Sequence, residues 1–207
     1  MLVVDDDPTG QRSLGSALPR RSTPPAAAKI RILDTADRLF YNEGIRAVGV
    51  DRLISESAVT KATFYKHYGS KDRLVVEYMR RRHQIAREFM DRLDDVAPKQ
   101  AIQQLVDAIT RETQRPGFRG CPFVNAAAEF MDSQHPVRLV VTEHRDWYTE
   151  TLAELLGRMG HPLPGDGADE FLLARDGAMT GGHVGDAVAS TAAFQRAASR
   201  LLSEARG

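Results

Sequence analysis

The chain has 207 residues, with 28 Lys+Arg against 28 Asp+Glu, 42% hydrophobic residues and one cysteine. One cysteine excludes an internal disulfide and Cys-rich metal frameworks. The apolar content excludes a disordered chain, and no apolar run approaches the roughly 18–20 residues of a membrane helix. The zero net charge, averaged over the chain, argues against a nucleic-acid binder, because phosphate contact needs a basic balance.

Residues 1–28 are rich in Gly, Pro, Ser and Ala and show no apolar period. They predict a mobile arm. Asp5, Asp6 and Asp7 interrupt the place where a secretory signal carries its apolar run, so a cytoplasmic protein is expected. Arg20 and Arg21 can reach a DNA minor groove; a solvated tail is the simpler reading.

From Lys29 the pattern is helical, and the expected fold is all-α with about nine helices. Ile30, Leu33, Asp37 and Phe40, with Ile32, Ala36 and Leu39 beside them, give the first amphipathic stripe. Gly44 follows as a left-handed C′ residue. A short helix is predicted near 50–57 and another near 61–67. Ser70 caps a longer one, with Asp72 in its first turn. Pro98 and Pro136 suit helix starts, opening helices at 99–114 and from 136. A short apolar helix is predicted at 123–131. Residues 160–167 read as a loop, with the last two helices near 168–187 and 191–205.

The short helices at 50–57 and 61–67, joined by Ala58-Val59-Thr60, have the spacing of a helix-turn-helix. Such a unit puts the N-terminal residues of its second helix toward base edges. Thr60 can cap that helix and offer a hydroxyl or N–H to phosphate. Lys61, Thr63 and Tyr65 supply a cation and two hydroxyls, Ala62 permits close approach, and Phe64 is predicted to be buried.

Residues 30–79, and most specifically VTKATFYKHYGSKDRL at 59–74, resemble the DNA-binding domain of TetR-type transcriptional regulators. The resemblance implies phosphate contacts from Thr63, Tyr65, His67 and Lys71, with Lys61 and Ala62 facing base edges. The family usually has Gly where this chain has Ala58. An Ala at positive φ costs about 1–2 kcal/mol, so either the turn is not left-handed there or stability is given up. The resemblance divides the chain into an arm (1–28), a DNA-binding domain (29–75) and an effector-binding and dimerisation domain (76–207).

Charge supports that division. Residues 1–82 hold 15 Lys+Arg and 10 Asp+Glu, a difference of +5, and residues 83–207 hold 13 and 18, a difference of −5. A basic module is joined to an acidic one.

RGCPFVNAAAEF (119–130), HPVR (135–138) and LARDGAM (173–179) resemble one subtype of the family's C-terminal domain. That implies a bundle enclosing a small-molecule pocket, whose first helix, near 71–95, couples ligand to DNA. Amphipathic or polar residues on buried faces are the pocket candidates: Cys121, Phe123, Asn125, His144, Trp147 and Tyr148. Phe89 and Met90 would form its near wall. Each is equally readable as an ordinary core residue with its polar tip satisfied. Gly177, Gly181 and Gly185 form a small-residue strip fitting the dimerisation helices of the family; a kinked or frayed helix is the alternative.

No metal-ligand pair, nucleophile elbow or phosphate-binding glycine loop is present, and no cofactor, metal or enzymatic activity is expected. A Cys121–His144 dyad lacks an evident orienting group. The expectation is a ligand-responsive repressor acting as a homodimer on a pseudo-palindromic DNA operator, with no membrane partner. The alternatives are a DNA-binding regulator controlled by a protein partner or by Cys121 oxidation, and a helical binding protein that has lost DNA recognition.

Overall fold

A computed structural model describes residues 25–205; the arm, with Arg20 and Arg21, lies outside the described residues apart from its last four positions. Among the described residues there are nine α-helices and no strand: α1 (Pro25–Glu43), α2 (Val50–Glu56), α3 (Lys61–Tyr68), α4 (Lys71–Asp91), α5 (Pro98–Thr113), α6 (Pro122–Glu129), α7 (Pro136–Arg158), α8 (Pro164–Val184) and α9 (Ala187–Glu204). None of these helices is long and apolar enough to cross a membrane.

Helix ends follow local chemistry. Pro98, Pro122, Pro136 and Pro164 each stand in the first turn of a helix, where the missing N–H costs nothing and φ is already helical. Pro164 therefore starts α8 four residues before the predicted start at 168. Asp166 in the same turn favours that start electrostatically. Asp186 accepts hydrogen bonds from the N–H groups of Val188 and Ala189. It thereby caps α9 from 187, ahead of the predicted 191.

In α1 the buried stripe is Ile32, Ala36, Leu39 and Phe40, while Ile30 is 58% exposed. Ile30 lies about 200° round the helix from Ile32, so the predicted stripe was too wide. Phe40 meets Tyr78 of α4 edge-on, with ring centroids 5.6 Å apart. Asp34 and Asp37 of α1 pair with Arg81 and Arg82 of α4. Helix α4 is unbroken across residues 75 and 76, and Leu74, Val75, Tyr78 and Met79 are all buried.

α4 then runs along α7, and α8 packs against α7 and α9. Phe171 and Phe194 meet edge-on between α8 and α9. Two glycines of α8 permit close approach within the chain. A Cβ on Gly181 would lie 2.4 Å from Ser190 Oγ of α9, and one on Gly182 would lie 2.3 Å from Thr113 Cγ2 of α5.

Candidate nucleic-acid interface and internal cavity

Ala58 has φ +51°, so the turn is left-handed. The N–H of Val59 donates to Ile54 O and that of Ala58 to Ser55 O. Those are the two bonds of a Schellman ending, with Ala58 in the C′ position that glycine usually fills. Ile54 and Val59 pack against the core together. The turn thus fixes how α3 leaves α2, at the cost of a strained alanine.

Thr60 then caps α3. Its Oγ1 accepts from Thr63 N–H at 3.1 Å and lies 2.8 Å from Thr63 Oγ1. Phe64 is fully buried and Tyr68 nearly so, with the Tyr68 hydroxyl donating to Lys29 O at 2.8 Å. These two residues clamp the inner face of α3. Lys61, Ala62, Tyr65 and Lys66 are exposed, and Thr63 and His67 are half-buried. The Tyr65 ring rests edge-on against Phe64. Ser70 accepts from Arg73 N–H and caps α4. Lys71, half-buried in that first turn, is pulled below the ordinary lysine pKa by burial, which the nearby Glu129 carboxylate partly offsets.

The charges on this head are sorted. Asp34, Asp37, Glu43, Glu56 and Glu77 are each held by an arginine of α1, α2 or α4. Among the described residues, Arg46, Lys61, Lys66, Lys71 and Arg73 form no ion pair. The acids are neutralised in place, and unpaired cations remain around α3 and the start of α4.

Beyond the head, a cavity of about 280 Å³ lies beneath α6, and a second of about 410 Å³ lies between α4, α5 and α6. Cys121, Phe123, His144 and Tyr148 line the first; Phe89, Met90, Phe123, His144 and Tyr148 line the second. Asn125 and Trp147 line neither. The Asn125 amide donates to Arg119 O at 2.7 Å, and Trp147 packs edge-on to His83 between α4 and α7.

His144 stacks flat on Phe123, with centroids 3.5 Å apart. Its Nδ1 is 3.0 Å from His83 Nδ1. Burial, reinforced by the Arg175 guanidinium, lowers its pKa to about 3. The pair is therefore neutral at pH 7, one ring donating to the other. Burial raises the Tyr148 pKa.

Two groups escaped the sequence. Arg175 of α8 lines both cavities, although a lone arginine on a helix ordinarily marks a solvated face. Burial opposes its charge, but Cys121, Tyr148 and Asp176 around it more than compensate. Glu129, the last residue of α6, accepts from the N–H groups of Ile45 and Arg46, at 2.8 and 2.6 Å. At the other end of α6, the Tyr41 hydroxyl accepts from Arg119 N–H and donates to Gly120 O. Nothing in the local sequence signals either contact, because about 80 residues separate the partners.

Of the glycine strip, Gly181 faces α9 of its own chain and Gly185 caps the end of α8. Gly177 alone is exposed with open space above it. Leu173 and Val184, on the same face of α8, are 68% and 75% exposed. Among the described residues no group of three or more His, Cys, Asp or Glu side chains is placed to hold a metal.

A small basic head that presents one firmly clamped, exposed helix belongs to the class of helix-turn-helix DNA-binding proteins. Comparison with known proteins narrows this. Residues 32–78 match the family described as bacterial regulatory proteins, tetR family, and residues 98–159 match the tetracyclin repressor-like C-terminal domain. A TetR-family transcriptional regulator from Streptomyces coelicolor is 35% identical, with a TM-score of 0.83 over 87% of this chain and 96% of that one. A putative regulator from Saccharomonospora viridis, solved in complex with choline, shares the fold at 19% identity, with a TM-score of 0.70 over 86% of this chain and 96% of that one. An HTH-type transcriptional regulator from Mycobacterium tuberculosis is 30% identical over 81 residues, 39% of each protein, so the match spans about two fifths of that relative's length. The chain belongs to the TetR family of transcriptional regulators, a family of DNA-binding proteins and not of enzymes.

Proposed function

We propose that the protein is a cytoplasmic homodimeric repressor that leaves a pseudo-palindromic operator when a small molecule enters the cavity beneath α6. Residues 29–75 act as the DNA-binding domain and 76–207 as the effector and dimerisation domain. Thr60, Thr63, Tyr65, His67 and Lys71 hold phosphates, and Lys61 and Ala62 meet base edges. The observation that carries the effector reading is the tethering of α6. The helix walls the cavity with Cys121, Phe123, Val124 and Ala127 near it. Its two ends are bonded to the head through Tyr41 and Glu129. A ligand that displaces α6 pulls on the α1–α2 loop, in addition to acting through α4. The choline bound to the Saccharomonospora regulator is consistent with a small-molecule site in this fold.

The DNA assignment is tested with a duplex selected by the protein from a random pool. Tyr65→Ala combined with Lys71→Ala should abolish tight binding in fluorescence anisotropy. It should also flatten the log–log salt dependence by about two units, since each lost phosphate contact removes about 0.9. Undiminished binding would remove these residues from the interface.

A second reading has one supporting observation. Cys121 Sγ lies 3.7 Å from Arg175 Nη2, a position where the guanidinium stabilises a sulfur oxidised by peroxide to an anionic acid. Peroxide-induced DNA release that disappears in Cys121→Ser would support it.

A further inference from the structure

We propose that the effector is an apolar molecule ending in a carboxylate, gripped by the Nε–Nη2 edge of Arg175. This deepens, and rests on, the reading of the α6 cavity as the effector site. The side chain is committed on every side but one. Its Nη1 donates to Asp176 Oδ1 at 2.7 Å. Asp176 is itself held by a second bond, from Arg145 Nη1 to its Oδ2 at 2.7 Å, so both of its oxygens are occupied and it cannot swing to the other edge. The Tyr148 ring covers one face of the guanidinium, 5.2 Å from Cζ.

What remains is the edge formed by Nε and Nη2, the two nitrogens on the side away from Cδ. Nε is buried and has no hydrogen-bond partner, and Nη2 meets only the weakly accepting thiol of Cys121 at 3.7 Å. A buried guanidinium N–H without an acceptor is costly. A carboxylate is the group whose two oxygens match two parallel N–H donors.

The charge around the cavity agrees. Arg138, Arg145 and Arg175 line it against Asp146 and Asp176, while His144 adds no charge. Arg138 also has a buried Nε without a partner, its Nη1 being spent on Phe130 O. The remaining wall is apolar or flat: Phe123 stacked on His144, with Val124, Val141 and Leu172. The site therefore suits one anionic end and one apolar, preferably planar, body.

Naphthoate and the neutral naphthylmethanol serve as a matched pair, titrated into the full chain at neutral pH by calorimetry. Trp147, the one tryptophan and 5.6 Å from His144, serves as a local fluorescence reporter. Naphthoate should bind at least about tenfold more tightly than the alcohol, the margin expected of a charge-assisted bidentate contact. Arg175→Met should erase that margin while leaving the alcohol's affinity unchanged. Should Arg175→Met fail to fold, Arg175→Lys, which keeps the charge but not the fork, should narrow the margin. The wild-type comparison decides by itself in any case. Equal affinities, or a preference for the alcohol, would overturn the carboxylate assignment and leave the cavity intact as a ligand site. A naphthoate preference that survives Arg175→Met would overturn the role of Arg175. Binding of neither compound would remove the cavity as a site for such ligands, and this inference with it.

Discussion

Ala58 holds a left-handed backbone that glycine would adopt without strain. The alanine costs about 1–2 kcal/mol there, and glycine gives back about 0.4–1 kcal/mol through the greater freedom of the unfolded chain. Ala58→Gly should therefore stabilise the protein by about 1 kcal/mol or less in urea denaturation, with operator affinity unchanged because the turn already has this shape. His144 makes the opposite kind of demand. Its pKa is near 3 when folded and about 6.5 when unfolded. Between those values the unfolded chain binds the extra proton, so stability is full above pH 6.5 and is lost as pH falls toward 3. His83, whose pKa burial also lowers, acts in the same direction. Urea denaturation at several pH values should show this decline, and His144→Phe should make it shallower. The sequence disclosed which of these side chains are amphipathic. Their environments depend on residues far away in the chain, and so does the missed role of Arg175.

Helix α6 shows how little of an element's role lies in its own residues. Its existence was legible from an apolar run after Pro122. Its attachment to the head was not, because Glu129 reaches across 84 residues to Ile45. A carboxylate serves two adjacent N–H groups there, and an amide offers one accepting oxygen with a donor in place of the other. Glu129→Gln should therefore cost about 1–2 kcal/mol, read as a lower melting temperature. It should also weaken operator binding, since the loop it holds leads into α2. Wild-type affinity with this variant would dismiss the tether as a coupling route. The boundaries of α8 and α9 teach a related point. Pro164 and Asp186 lay in stretches that read as loop or as helix interior, yet they start α8 and cap α9. Whether a Pro or Asp is a breaker or a starter depends on which neighbours the following turn can bury.

For the whole molecule, the vanishing net charge is the sum of a +5 head and a −5 body, and the head is sharpened further by pairing its acids with arginines away from α3. On α8 the exposed Leu173, Gly177 and Val184 share a face that water alone covers poorly. With Val188 at the start of α9, also exposed, it supplies the apolar centre expected of an isologous contact. If this face joins two copies, Leu173→Glu with Val184→Glu should give a monomer in sedimentation velocity. Operator affinity should fall by roughly 100-fold as the second half-site contact is lost. A dimer that survives both charges would place the interface elsewhere.

The sequence by itself determined the all-α class, the helix-turn-helix with its Thr60 and Ser70 caps, the burial of Phe64 and the segregation of charge. These follow from spacing, propensity and hydrogen bonds within a few residues, all of which are local physics. The tertiary structure alone decided that Ala58 is left-handed, that Arg175 lines the cavities, that Trp147 and Asn125 do not, and that Gly181 serves its own chain. Each of those depends on which groups burial brings together across tens of residues, and that is set when the helices pack.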